Sequence, residues 1–226
     1  MSTASVAPIT LTFPNPVLPK NWKLDDLQAH LGGIPLSRIR LFPPPGMATE
    51  GDAFALRRDE GVLCELIDGV LVEKTMGWLE SVVAMQLVYF LHCYLKDNPL
   101  GEVIGPDGPV RVVPKQQMRL PDVSFIRFDR LTPAAYKQKV CPVTPDLAVE
   151  ILSAGNTAAE IDRKLVEYFA GGTQLAWIID HEQRRAAIYT SPDKFTSIDE
   201  NGILNGGDVL PGFSVLLSEL LRKPEQ

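Results

Sequence analysis

One short apolar stretch, PDLAVEILSAG from Pro145 to Gly155, constrains the fold of this chain more than any other feature. Proline and glycine bound a run of Leu, Ala, Val and Ile residues, which is typical of a buried β-strand. Because side chains alternate between the faces of a strand, Glu150 shares its face with Ala148 and Leu152. An unpaired buried carboxylate is costly, so Glu150 requires a partner, a proton or a metal ion.

Signals for a hairpin, a helix and further strands precede this stretch. ELIDGVLVEK has two apolar runs on either side of Asp68-Gly69, a residue pair that favours a type I′ turn. The segment from Gly77 to Asn98 is apolar nearly all round, so we expect a long helix buried against a sheet. VRVV and MRLPDVSFIRF predict two strand segments that pair through a turn at Pro114–Gln117.

A helix and a second hairpin follow the stretch. Thr157 and Glu160 have the S/T-x-x-E spacing of a capping box, and Gly171-Gly172 predicts the end of that helix. LAWIID and RRAAIYT predict a hairpin across His181–Arg184. The order of these elements predicts an α/β fold in which a mixed β-sheet is flanked by helices.

The N-terminal part has a different composition. Residues 1–20 are rich in Pro, Ser and Thr and predict a loosely ordered arm, and KLDDLQAHLGG predicts a short amphipathic helix. We interpret residues 1–50 as an N-terminal extension made of this arm and helix, and residues 51–226 as the main domain.

Composition excludes several classes of protein. The 226 residues carry a net charge of −6, so any contact with nucleic acid needs a local basic patch or metal ions as intermediaries. Three widely spaced cysteines and three histidines form neither a zinc-site pattern nor a disulfide framework. The first residues lack the pattern of a signal peptide, and polar residues interrupt the most apolar segment, so we expect a cytoplasmic protein without a membrane span.

A second acidic residue has a setting like that of Glu150. Asp122 follows Pro121 at the start of the apolar run VSFI. Two carboxylates on neighbouring strands that face the same way repel each other unless a cation lies between them. Mg²⁺ binds through one or two carboxylates and keeps several waters, so a metal site is one interpretation. A hydrogen-bonded or turn-capping role for each carboxylate is the other.

Six motifs in order resemble a known family. ELIDGVL, RLPDVSFI, PDLAVEILS, RKLVEYFAGG, LAWIID and GGDVLPGFSVLLSELL resemble the Uma-type family of restriction endonucleases, within the PD-(D/E)XK nuclease superfamily, over Phe54 to Leu221. The resemblance implies a restriction-endonuclease-like core, with Asp122 and Glu150 as its two acidic residues. The chain departs from the superfamily pattern at Leu152, where a lysine is usual.

The resemblance implies that the lysine comes from the following helix, where Lys164 stands in RKLVEYF. Lys164 and Tyr168 are four positions apart and so share a helix face. The alternative to a functional role is that Lys164 is exposed to solvent and pairs with Glu160, four positions earlier in the helix.

Further ligands are implied in the same way. The resemblance suggests the backbone carbonyl of Ile151 as a third metal ligand and either Glu65 or Glu80 as an accessory carboxylate. A glutamate at a helix N-terminus, such as Glu80, also fits capping preferences alone. We expect Asp68 to act only as a turn residue of its hairpin. We expect Asp146 to lie near solvent at the start of its strand.

The resemblance implies that the protein is a Mg²⁺-dependent endonuclease, for which Mn²⁺ can substitute. It also implies that the substrate is nucleic acid, with DNA favoured over RNA, and that the protein acts as a homodimer. Lys164 would orient the attacking water or balance charge in the transition state. The alternative is a catalytically silent module that uses the nuclease fold for binding. Candidate cations for contacts with the nucleic-acid backbone are Arg119, Arg127, Arg130, Lys137, Lys139 and Arg163. Arg38 and Arg40 of the extension could also contact nucleic acid, although packing on the core or on a second subunit is the preferred interpretation.

Overall fold

The computed structural model describes residues 18–19, 21–112 and 117–221. Within these ranges the helices are α1 (Leu24–His30), α2 (Glu50–Glu60), α3 (Trp78–Asp97), α4 (Ala158–Ala170) and α5 (Leu217–Leu220). The strands are β1 (Cys64–Ile67), β2 (Val70–Glu73), β3 (Gly101–Ile104), β4 (Val110–Val112), β5 (Gln117–Arg119), β6 (Val123–Arg127), β7 (Leu147–Ile151), β8 (Leu175–Asp180), β9 (Arg185–Ser191), β10 (Lys194–Asp199), β11 (Ile203–Asn205) and β12 (Ser214–Leu216).

The strands form two main sheets and a small β11–β12 pair. The central sheet has the order β10-β9-β8-β7-β6-β3, in which only β7 and β8 run parallel. The second sheet, β2-β1-β5-β4, is antiparallel throughout. The predicted α/β fold with a mixed sheet is therefore confirmed. The parallel pair arises because α4 carries the chain back from the end of β7 to the start of β8.

Both predicted hairpins are present. Asp68 and Gly69 have φ values of 47° and 74°, as a type I′ turn requires, and they join β1 to β2. Arg184, with φ of 51°, closes the turn between β8 and β9. Only the first part of MRLPDVSFIRF pairs with VRVV as predicted, since β4 pairs with β5 and β6 belongs to the central sheet. Gln117, predicted in the turn, lies in β5 opposite Val112, and residues 113–116 lie outside the described residues.

Two helices cover the two faces of β7. On one face, Val149 and Ile151 pack with the α3 residues Leu87 and Leu91. On the other face, Ala148 packs with Tyr168 of α4. The amphipathic face of α4 is thus placed over the same side of β7 that carries Glu150. This helix begins at the predicted N-cap, since the Thr157 hydroxyl accepts a hydrogen bond from the Glu160 N–H, at 3.1 Å. The predicted capping box is not completed, because the Glu160 carboxylate binds Arg38 and Asn156 instead.

The predicted burial of α3 holds for one face only. Five apolar side chains of α3 are buried, but Trp78 is 75% exposed and Tyr89 is 61% exposed. With 20 residues and a mean hydropathy of 1.2, α3 is long and apolar enough to cross a membrane by length and composition alone. That is a weak indication, because core helices of soluble proteins share these properties and the inner face of α3 is packed into the main core.

The N-terminal segment packs on α4 and on the β1–β2 hairpin. Arg38 is 6% exposed and donates to both carboxylate oxygens of Glu160, at 2.9 and 3.0 Å. The Thr157 hydroxyl donates to the carbonyl of Gly32, where α1 has ended. Arg40 pairs with Glu60 and Glu73. Both arginines of the extension thus contact the core, while the predicted arm lies outside the described residues except for residues 18 and 19.

Candidate active site

The pairing of β6 with β7 brings Asp122 and Glu150 into one cluster. Val123 lies opposite Val149 in the antiparallel ladder, and just before it the Asp122 N–H donates to the Val149 carbonyl at 3.0 Å. The Asp122 side chain turns inward, where Oδ2 accepts a hydrogen bond from the Ile151 N–H at 2.6 Å. Both carboxylates are buried, with exposures of 5% and 4%.

Helix α4 supplies two donors to Glu150. The Lys164 ammonium lies 2.8 Å from Oε2, and the Tyr168 hydroxyl lies 2.5 Å from Oε1. The i, i+4 spacing puts both side chains on the helix face that covers β7. The alternative partner of Lys164 is engaged elsewhere, because Glu160 binds Arg38 and Asn156. Lys164 is accordingly buried, at 4% exposure, rather than solvated.

Glu65 joins the same cluster from the other sheet. Its carboxylate accepts the Leu120 N–H at 3.1 Å and a hydrogen bond from Arg119 at 2.7 Å, and it lies 3.5 Å from the Lys164 ammonium. Arg119 also pairs with Glu167 at 2.5 Å and is only 1% exposed. The prediction that Arg119 contacts nucleic acid is therefore wrong, because its guanidinium is used inside the protein.

Lys74 is a member of the cluster that the sequence reasoning missed. Its ammonium lies 2.6 Å from Asp122 Oδ1 and also donates to the Leu120 carbonyl. The register of the β1–β2 hairpin could have predicted that Lys74 lies near Glu65. Val72 lies opposite Glu65, and Lys74 follows two positions later, on the same face of the strand.

Opposite charges are balanced within this buried cluster. Three carboxylates (Glu65, Asp122, Glu150) lie among three cations (Lys74, Arg119, Lys164). Paired charges of this kind are what allow ionised groups to persist in an interior.

The pKa values of the carboxylates shift in opposite directions. Burial raises the pKa of Glu150; Lys164 opposes this shift, and the nearby Asp122 carboxylate reinforces it. Burial would also raise the pKa of Glu65, but the charges of Lys164 and Arg119 outweigh it and lower that pKa well below its usual range. Burial disfavours the charged form of Lys164, yet Glu150 and Glu65 raise its pKa. A further positive charge nearby would therefore stabilise the ionised form of Glu150.

The two other predicted ligands have different positions. In the described part of the chain no hydrogen bond or ion pair joins Glu80 to the cluster. Its carboxylate instead folds back over Gly77 at the N-terminus of α3. Ile151 is next to both acidic residues, and its N–H already binds Asp122. Its carbonyl as a metal ligand stays a prediction.

Two acidic residues have roles that the sequence reasoning did not predict. Asp146 is fully buried rather than near solvent, because it accepts hydrogen bonds from the Arg127 N–H and the Arg130 guanidinium. Asp68 occupies its turn, but it also pairs with Arg163 at 2.7 Å and with His30 at 2.9 Å. Arg130 and Arg163 are thus engaged with internal carboxylates as well.

The donor set fits a hard divalent ion held by few protein ligands. Within the described residues no group of three or more His, Cys, Asp and Glu side chains is arranged to hold a metal ion. Two carboxylates with water are nevertheless sufficient for Mg²⁺. Each oxygen of Asp122 and Glu150 accepts one hydrogen bond, and a carboxylate oxygen has a second lone pair. Burial and the Asp122 carboxylate both raise the pKa of Glu150, which means that they destabilise its ionised form. A dication bound beside the two carboxylates would stabilise that form.

Comparisons with known proteins identify the family and the fold of this chain. A family model described as "Uma2: Putative restriction endonuclease" matches residues 52–220. A crystal structure described as "a putative nuclease belonging to DUF820 from Anabaena variabilis ATCC 29413" superposes with a TM-score of 0.63 at 17% identity. The superposition covers 71% of this chain and 90% of that one, and at this identity it shows the fold. No curated protein matches the sequence significantly.

Proposed function

This chain belongs to the Uma2 family of restriction endonucleases, and from that premise we propose that it is a metal-dependent endonuclease that hydrolyses phosphodiester bonds. The observation that carries the proposal is the contact between Lys164 and Glu150, at 2.8 Å, beside Asp122. It joins two acidic groups and a lysine in one buried cluster although the strand position two residues after Glu150 is Leu152.

Each residue of the cluster has a task in this proposal. Asp122 and Glu150 hold Mg²⁺ or Mn²⁺, with the Ile151 carbonyl as a third ligand. When bound, the ion supplies Lewis acidity and lowers the pKa of its water. Tyr168 and Lys164 fix the two oxygens of Glu150, and the Lys164 ammonium would orient the attacking water or balance the negative charge of the transition state.

DNA is the proposed substrate, since the family model describes restriction endonucleases. Lys137 and Lys139 are exposed on the segment between β6 and β7, where they can contact backbone phosphates. A homodimer places two such sites on the two strands of a duplex. The family relationship supports a cytoplasmic location.

A second candidate is the catalytically silent module. The observation that favours it is the charge balance of the cluster, because Lys74 and Lys164 neutralise Asp122 and Glu150 with protein groups alone. A silent protein retains the cluster as a set of internal ion pairs and binds no divalent ion.

Calorimetric titration of Mn²⁺ and Mg²⁺ separates the two candidates. The matched variants are Asp122→Asn and the exposed control Asp129→Asn. We expect binding to the wild type and to the control, and none to Asp122→Asn. Absence of binding to the wild type, followed by failure to nick supercoiled plasmid DNA in Mn²⁺, would reject the endonuclease in favour of the silent module.

A further inference from the structure

The two oxygens of Asp122 have unequal freedom. Oδ2 is held by the Ile151 N–H at 2.6 Å, a contact that belongs to the backbone of β7. Oδ1 is held by the Lys74 ammonium, at the end of a flexible side chain. Oδ1 is therefore the oxygen that can offer both lone pairs to an ion without the loss of a backbone contact.

The two lysines of the cluster have different carboxylate partners. Lys164 lies within 3.5 Å of two carboxylates, Glu150 and Glu65. Lys74 contacts one carboxylate, Asp122, and one carbonyl, Leu120. An ammonium and a dication that share one oxygen repel each other strongly in a buried site. Because the Lys74 ammonium occupies Asp122 Oδ1, it is the one that gives way to an ion at that oxygen.

We infer that Lys74 is an internal competitor of the divalent ion for Asp122 Oδ1, and that ion binding displaces its ammonium while the backbone keeps it at the site. The inference rests on the proposed function. The backbone N–H of Lys74 is fixed to the Leu63 carbonyl at 2.9 Å, so a displaced side chain stays beside the cluster. There its charge would attract the phosphate of a substrate that approaches the site.

The first test is calorimetric titration of Mn²⁺ into wild type, Lys74→Met and the exposed control Lys194→Met. Removal of the competitor should tighten the dissociation constant about tenfold in Lys74→Met and leave it unchanged in the control. Lys74→Gln, which can still donate to the Leu120 carbonyl, replaces Lys74→Met if that variant does not fold.

The outcomes separate this inference from the proposed function. Equal affinities of wild type and Lys74→Met, or weaker binding by the variant, would overturn the competition and leave the metal site intact. If neither protein bound Mn²⁺, both the proposed metal site and the proposed competition would be rejected.

A second measurement uses the wild type alone. Pulse acetylation read by mass spectrometry reports the accessibility of each lysine. Lys74 should react slowly without an ion and several times faster in saturating Mn²⁺, whereas Lys164 stays protected and Lys139 reacts equally in both. An unchanged rate at Lys74 in protein that binds Mn²⁺ would contradict the displacement.

Discussion

The Lys164 ammonium lies 2.8 Å from Glu150 Oε2, although the two residues are 14 positions apart in the chain. Strand β7 and helix α4 make this contact possible, because α4 returns across the face of β7 that carries Glu150. A lysine two positions after the glutamate would lie at the end of the strand. In this chain Leu152 occupies that position and packs with the apolar face of α4.

Lys164→Met tests how strongly this contact holds the fold together. The substitution leaves Glu150 and Glu65 buried without their shared cation. Loss of one partner of a buried pair typically costs about 3–5 kcal/mol of unfolding free energy. Urea denaturation measures the loss, and Lys194→Met on the exposed strand β10 is the matched control, for which we expect the wild-type midpoint. A loss no larger than that of the control would show that the pair contributes little to stability.

The Arg38–Glu160 pair predicts a pH dependence of stability. Burial would raise the pKa of Glu160, but hydrogen bonds from Arg38 outweigh it and lower the pKa below the ordinary value of 4.5. A carboxylate whose pKa is lowered on folding contributes stability that is complete above pH 4.5 and is lost as the pH falls through the folded-state pKa. Glu160→Gln should therefore lose more stability at pH 7 than at pH 3.

Urea unfolding of Glu160→Gln at the two pH values measures this difference. The exposed Glu182→Gln variant is the control, and its unfolding free energy should differ between pH 7 and pH 3 by the same amount as that of the wild type. An equal loss at both pH values would mean that Glu160 contributes through packing rather than through its charge.

Local sequence patterns predicted the position of Asp122 and Glu150 but not the whole cluster. Alternation along β7 and the Pro-Asp start of β6 are local signals, and these two strands are neighbours in one sheet. The helical lysine came from family resemblance, since spacing alone permits many partners for Lys164.

The missed contacts connect different sheets. Lys74 and Asp122 are 48 positions apart, and they meet because the Leu120–Asp122 segment passes from the second sheet to the central one. Asp146 was predicted near solvent because strand ends usually are, yet the loop after β6 folds Arg130 over it. Such contacts depend on how sheets and loops pack, which hydrophobic periodicity does not specify.

Adjacent glycines test the packing of the N-terminal segment on α4. Gly32 and Gly33 both have left-handed backbones, with φ of 86° and 70°, so alanine is strained at either position. A Cβ on Gly32 would lie 2.7 Å from the Glu160 nitrogen, whereas one on Gly33 meets nothing within 4 Å. Gly33→Ala should cost about 1 kcal/mol, and Gly32→Ala should cost about 1–3 kcal/mol more because backbone must shift. Thermal and urea unfolding measure both variants, and equal losses would mean that this contact is loose in solution.

We predict that the proposed homodimer forms through the outer face of α3. Trp78, Val82, Met85 and Tyr89 are exposed at spacings of four, three and four positions, which aligns them along one side of the helix. This stripe is uncharged, so a second copy can cover it without burying an ionised group, and a two-fold interface lets each copy present the same face.

Met85→Glu should convert the dimer to a monomer, since it would bury a charge at the centre of that interface. Val166→Glu on α4 is the matched control, because Val166 is 55% exposed and Met85 is 56% exposed, and it should remain dimeric. Light scattering coupled to size-exclusion chromatography gives the mass of each protein directly. A monomeric wild type, or a Met85→Glu variant that stays dimeric, would show that this face of α3 does not pair two copies of the chain.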